Sequence, residues 1–143
     1  MPKIPHQSSA TGMQAIPSTG AALGIQYKEK RGIGTDYGIE KPVVICSLGD
    51  ASVTEGEVSE AFQMAALKKL PILYLIQDNE WHISATSKET RAMNAAEYAK
   101  VFKVLETRSI DGSDFVLCFQ TAQEVLQIIR KERRPFLLHA RVP

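Results

Sequence analysis

Asp50 and Asn79 are the residues whose types and positions point most directly to chemistry. Each sits where a short apolar run ends, VVICSLG before Asp50 and ILYLIQD before Asn79. One offers a carboxylate and the other an amide oxygen, and the peptide carbonyl near Trp81 is a third donor within reach of the same turn. Magnesium takes about six hard oxygen ligands in a near-octahedral shell, of which a protein typically supplies a few while phosphates and water complete the rest. Neither His nor Cys belongs to this donor set, which argues against zinc or copper. The N-terminus of the helix that follows Asp50 would add unpaired N–H groups and the positive end of its dipole, a setting that suits a diphosphate. Taken singly, Gly49-Asp50 and Asp78-Asn79 are ordinary strand-to-loop turns. Their pairing across one unit carries the reading.

That unit must be a strand, a helix and a second strand over residues 43 to 76. Both apolar runs are continuous rather than alternating, as expected of parallel strands buried on both faces. Between them Val58, Ala61, Phe62 and Ala65 recur at helical spacing. Thr54 with Glu57 forms a capping-box pattern at the start, and Lys68, Lys69 and Pro71 close the end. A helical crossover between parallel strands brings both carboxyl ends to one edge of the sheet, the edge where such sheets bind ligands.

Around this unit, PSTGAALGIQYKEKR predicts a helix ending at Gly32 or Gly34, with Gly20, Ala21 and Ala22 packed closely against another backbone. Residues 78 to 93 lack periodicity and read as a long loop, whose Lys88, Glu89 and Arg91 form a solvated mixed-charge surface. A short helix follows over 94–102 and an edge-like strand over 104–109. After the turn IDGSD comes a helical stretch in which Phe115, Phe119, Ala122, Leu126 and Ile129 share a core stripe, broken by a second capping box at Thr121 and Glu124. FLLHARV is the final strand. His82 reads as a solvated loop residue, and His6 and His139 show no partner. The expected fold is α/β, with a mainly parallel sheet covered by helices on both faces.

With 143 residues, of which 44% are hydrophobic, the chain supports a single domain with one sizeable core, its first 12 residues in loop conformation. Seventeen Lys and Arg against 16 Asp and Glu leave a net charge of +1, so no global field calls for nucleic acid or an anionic membrane. Cys46 and Cys118 read as buried reduced thiols, and the absence of a membrane-length apolar run or a charged leader predicts a cytoplasmic protein. The opening and closing residues read as cut boundaries at both ends.

The segment GDASVTEGEVSEAFQMAALKKLPILYLIQDNEWHIS resembles the thiamine diphosphate motif, usually GDG followed by NN, as found in the α chain of the first, decarboxylating component of 2-oxo acid dehydrogenase complexes, particularly the branched-chain type. SSATGMQAIPSTGAALG and IDGSD are similar to flanking segments of that family, so the resemblance runs from Ser8 to Val142. It implies a thiamine diphosphate-binding fold and assigns Asp50, Asn79 and the Trp81 carbonyl as magnesium ligands. By the same resemblance the backbone of Gly49, Ala51 and Ser52 passes the diphosphate, and Ser9 and Thr11 lie toward the aminopyrimidine. The implied activity is oxidative decarboxylation of a 2-oxo acid with acyl transfer to the lipoyl carrier domain of the acyltransferase component, in a heterotetramer. The glutamate that activates the cofactor would come from a β chain or fused β-like half, so this chain alone is expected to be inactive.

Four positions depart from the family pattern. Ala51 replaces a Gly, Asp78 an Asn, Glu80 a small residue and Gln77 an Arg of the branched-chain type. They predict a turn that tolerates a Cβ and a pocket less welcoming to phosphate. Two other readings remain open at this stage: a transketolase-like enzyme, and a structural or assembly domain in which the motif has decayed.

Overall fold

The computed structural model describes residues 4–5, 9–38 and 40–143, which leaves His6 outside the described part. Helix α1 (Ala15–Arg31) leads into strand β1 (Val44–Gly49), a 3-10 turn (Ala51–Thr54) and helix α2 (Gly56–Lys68). Strand β2 (Ile72–Asp78), the short helices α3 (Ser87–Thr90) and α4 (Ala95–Ala99), strand β3 (Glu106–Asp111), helix α5 (Phe115–Glu132) and strand β4 (Phe136–Arg141) complete the chain. The four strands form a sheet of order β1-β2-β4-β3, and every pair is parallel.

Alternation of side chains along each strand divides the core between the two faces of the sheet. One face carries Cys46, Leu48, Ile72, Tyr74, Ile76 and Leu137, beneath α1, α2 and α4. The other carries Leu73, Ile110, Phe136, Leu138 and Ala140, beneath Val125 and Ile129 of α5. Both faces thus have helices, as expected. In the apolar run of β2 all but the half-buried Leu75 are buried, whereas β1 is an edge strand with Ile45 54% exposed, because α5 lies over β2, β3 and β4 and stops short of β1.

Several local expectations need correction. In α1 the buried residues are Ala15, Thr19 and Ala22, while Gly20 faces open space. Gly32 ends that helix in the left-handed conformation, φ 66°, as its sequence predicts. Thr54 does not cap α2: its hydroxyl donates to the Ala51 carbonyl within the 3-10 turn, and the helix begins after Glu55. Nor does Thr121 restart a helix, since α5 is continuous and Thr121 is buried within it. The core row of α5 is Thr121, Val125 and Ile129, with Cys118 half-buried. Phe115, 78% exposed, and Phe119 instead stack on each other in solvent, ring centroids 6.3 Å apart. The two rows are neighbours on the helix and share Ile129, and Ala122 and Leu126 of the expected row are half-buried, so the expected stripe fails at its first turn. At the IDGSD turn a Cβ on Gly112 would meet the Arg141 carbonyl oxygen at 2.7 Å, so the start of α5 is fastened to the end of β4 at a point open only to glycine.

Candidate functional site

Gly49 of β1 pairs in register with Gln77 of β2, and Asp78 with Arg141 of β4, so Asp50 and Asp78 emerge side by side at the carboxyl edge of the sheet. The Asp50 N–H donates to the Gln77 carbonyl at 3.2 Å, which closes that edge locally. Asp50 has φ −60° and Ala51 sits in the 3-10 turn, with no positive φ at either residue. A Cβ is accommodated at position 51 without strain, and one placed on Gly49 would meet nothing closer than Ser52 Oγ at 3.9 Å. The 3-10 turn separates Asp50 from the helix: α2 begins at Gly56, one residue beyond the start that a Thr54 cap would set.

The segment after β2 is more ordered than its lack of periodicity implies. Trp81 bridges antiparallel to Thr86, and the Ser87 N–H donates to the Glu80 carbonyl at 2.8 Å. Thr86 and Glu89 form a capping box at the start of α3. This compact fold delivers Arg91, which follows α3, onto the sheet edge. Arg91 is buried rather than solvated: its Nη2 lies 2.7 Å from Asp50 Oδ2 and 3.4 Å from Asp78 Oδ1, with only 6% of the side chain exposed. The other Asp78 oxygen meets His139 Nε2 at 2.7 Å, and His139 Nδ1 meets Ser109 Oγ at 3.1 Å. His139 therefore has two partners, contrary to expectation. His82 is half-buried, with Nε2 3.1 Å from Thr90 Oγ1.

The electrostatics of the pair differ. Burial and the neighbouring Asp78 charge raise the Asp50 pKa, and Arg91 only partly offsets them. Burial also pushes Asp78 upward, but the hydrogen bonds with His139 and the Glu80 N–H, together with the Arg91 charge, bring its carboxyl below the ordinary value. The satisfaction of the cluster is incomplete. Asp50 Oδ2 has no well-directed hydrogen bond, and Arg91 Nε and Nη1 are buried without a hydrogen-bond partner.

Asn79 and Trp81 lie at the same edge but are exposed, and the Asn79 amide oxygen accepts the Trp81 N–H at 3.0 Å. Glu80 between them is held in the left-handed region, φ 61°, a conformation costly for a side chain with a Cβ. Ser52 is buried in the 3-10 turn. Ser9 and Thr11 are exposed, and their segment is tied to the sheet by Gln14 Nε2 donating to the Ser47 carbonyl at 3.0 Å. The sequence reading missed Arg91, His139 and Ser109. The Thr86 and Glu89 spacing is the signal that would have found the helix carrying Arg91 to the site.

A magnesium ion does not fit this conformation. The Asp50 carboxylate is engaged by a guanidinium, the Asn79 oxygen accepts from its own loop, and no group of three or more His, Cys, Asp or Glu side chains able to hold a metal occurs among the described residues.

The all-parallel sheet with helices on both faces defines an α/β domain, with Asp50, Asp78 and Asn79 at its carboxyl edge. Residues 2–142 match the family model described as dehydrogenase E1 component, and the chain belongs to that family. It is 30% identical over 130 residues to the 3-methyl-2-oxobutanoate dehydrogenase subunit alpha of Mycobacterium tuberculosis, covering 90% of this chain and 32% of the relative. It is 28% identical over 131 residues to the pyruvate dehydrogenase E1 component subunit alpha of Rickettsia felis, covering 91% of this chain and 37% of the relative. The chain thus spans about a third of the length of these relatives. Among solved structures, transketolase from Campylobacter jejuni superposes with a TM-score of 0.74 at 23% identity over 92% of this chain and 20% of its own. A putative thiamin diphosphate-dependent enzyme from Mycobacterium smegmatis superposes with a TM-score of 0.65 at 21% identity, over 95% of this chain and 23% of its own. These superpositions establish a shared fold. No helix among the described residues is long and apolar enough to cross a membrane.

Proposed function

We propose that this chain is the diphosphate-side unit of a thiamine diphosphate-dependent 2-oxo acid dehydrogenase, of the α-chain type. The observation that carries the reading is the parallel β1–α2–β2 unit, which sets Asp50 and the Asn79–Trp81 turn on one sheet edge within a chain of the dehydrogenase E1 family. Gly49, Ala51 and Ser52 would lie along the diphosphate, and Ser9 and Thr11 toward the aminopyrimidine. Asp50, Asn79 and the Trp81 carbonyl would serve as magnesium ligands once the contacts that now engage Asp50 and Asn79 are released. Thiamine diphosphate, when bound, supplies the carbanion chemistry, and the protein's part is to orient it. Partners in this reading are a β chain or β-like half, which brings the activating acid, and a lipoyl carrier domain. Names such as 3-methyl-2-oxobutanoate dehydrogenase and pyruvate dehydrogenase among the relatives support a 2-oxo acid as the substrate class.

Calorimetric titration of the purified protein with thiamine diphosphate tests this, with and without magnesium. Binding weakened at least tenfold by Asp50→Asn is expected. No binding under either condition, with a β partner present, would overturn the reading. The arginine on Asp50 favours a second reading in that event, a cofactor-free assembly domain.

A further inference from the structure

Ser109, His139 and Asp78 have no part in holding a cofactor, yet they form a connected set. They lie on the adjacent strands β3, β4 and β2, with Ser109 directly opposite His139 in register. His139 and Asp78 are buried, 3% and 4% exposed, whereas Ser109 stands on an edge strand and is exposed.

The hydrogen bonds fix where the protons are. Asp78 Oδ1 accepts from the Glu80 N–H at 2.9 Å and from Arg91 Nη2 at 3.4 Å, and Oδ2 lies 2.7 Å from His139 Nε2. A carboxylate surrounded by donors acts as acceptor, so Nε2 carries the imidazole proton. In the neutral ring Nδ1 is then a lone pair, and it faces the Ser109 hydroxyl at 3.1 Å. A hydroxyl that donates to an imidazole, whose other nitrogen is held by a carboxylate, is the arrangement that activates a serine.

The backbone adds a donor at the same place. The Gly112 N–H donates to the Arg141 carbonyl, and on the far side of β4 the Val142 N–H donates to the Asp78 carbonyl. Peptide groups point alternately to the two sides of a strand. Counting back from Gly112 therefore turns the Ser109 N–H to the free side of β3, where no strand pairs with it among the described residues.

We propose that Ser109 is a nucleophile with His139 as its base, which gives this chain an esterase activity. The single amide donor and the open surface fit small esters with good leaving groups rather than amides. Ser109 Oγ bonds to the ester carbonyl carbon while its proton passes to His139 Nδ1. The tetrahedral adduct, its oxygen held by the Ser109 N–H, expels the alcohol, which leaves with that proton. Water attacks the acyl-serine by the same route, releasing the acid and restoring the hydroxyl. Asp78 keeps its charge throughout and is a positioning residue for the ring. The activity needs no cofactor and is independent of the thiamine diphosphate reading.

The full chain, without added cofactor, is treated with a fluorophosphonate and mapped by peptide mass spectrometry, with hydrolysis of p-nitrophenyl acetate followed in parallel. A single phosphonyl group on Ser109 is expected, with loss of hydrolysis as it forms. Ser109→Ala should abolish both reactions and Ser113→Ala should retain both, while His139→Gln should slow both roughly a hundredfold. No label on Ser109, label spread over other serines, or equal rates in folded His139→Gln would overturn the proposal. If His139→Gln fails to fold, the ring nitrogen NMR shifts of the unaltered protein decide. A bare Nδ1 beside a protonated Nε2 supports the proposal, and a proton on Nδ1 at the pH of the assay overturns it. Asp78→Asn should release the ring from its fixed tautomer and slow the reaction, and a tautomer and rate both unchanged would remove Asp78 from its role.

Discussion

Two buried polar clusters hang from the same face of β2, one at Tyr74 in mid-strand and one at Asp78 at its end. The Tyr74 hydroxyl meets Thr19 Oγ1 at 2.6 Å and the Ala61 carbonyl at 3.2 Å, and Thr19 donates in turn to the Ala15 carbonyl at 2.8 Å. Burial raises the Tyr74 pKa far above the ordinary phenol value, against the Thr19 hydrogen bond, so the cluster is neutral. Its polar atoms are satisfied, and it ties α1 and α2 to the sheet. The Asp78 cluster has charges in place of neutral groups and orphaned atoms in place of a closed set. Satisfied buried networks rigidify a fold, whereas an unpaired buried polar group is costly in the low dielectric of the interior. The first cluster is a buttress, and the second belongs to the candidate site.

The contrast can be broken most sharply at Arg91. Replacing it by Met strands two buried carboxylates, and urea unfolding in metal-free buffer should show a loss of about 3–5 kcal/mol. A loss under about 1 kcal/mol would mean that the carboxylates do not depend on the arginine. Tyr74→Phe removes one hydroxyl from a neutral network and should cost about 1 kcal/mol in the same assay. If that variant were the more damaging of the two, the buttress and the site would have been assigned the wrong way round.

The smallest effect concerns the capping box that holds the Arg91 segment. The Thr86 hydroxyl and then the Thr86 N–H donate to Glu89 and hold its carboxyl below the ordinary value. A depressed folded-state pKa gives a contribution that is fully present above the unfolded value, about 4.3 for Glu, and is lost as the pH falls through the folded value beneath it. Trp81 emission should therefore change as the solution is acidified below about pH 4. The part of that change due to the box should be absent in Glu89→Gln, and identical acid profiles would remove Glu89 as the brace of the segment.

Much of this architecture is legible in the residues. Continuous apolar runs marked β1 and β2, helical spacing at Val58, Ala61, Phe62 and Ala65 marked α2, and the crossover between them put Asp50 and Asn79 at one carboxyl edge of the sheet. Capping-box spacing was a poor guide because the pattern is only local. It is realised at Thr86 and Glu89, spent inside a 3-10 turn at Thr54, and buried within a helix at Thr121. On α5 the periodicity allowed two neighbouring rows, and Phe115 and Phe119 belong to the one that faces solvent.

The positions of β1, α2 and β2 and the acid-and-amide chemistry at their ends depend on residues close together in the chain, where periodicity and turn chemistry act directly. The pairing of Asp50 with Arg91, of Asp78 with His139 and of His139 with Ser109 joins five separate segments, namely the turn after β1, β2, the residue after α3, β3 and β4. No spacing rule links them, because their proximity follows from the order β1-β2-β4-β3 and from the loop that folds back over its edge. The charge on Arg91 is written in the chain, and its burial against Asp50 comes from the packing.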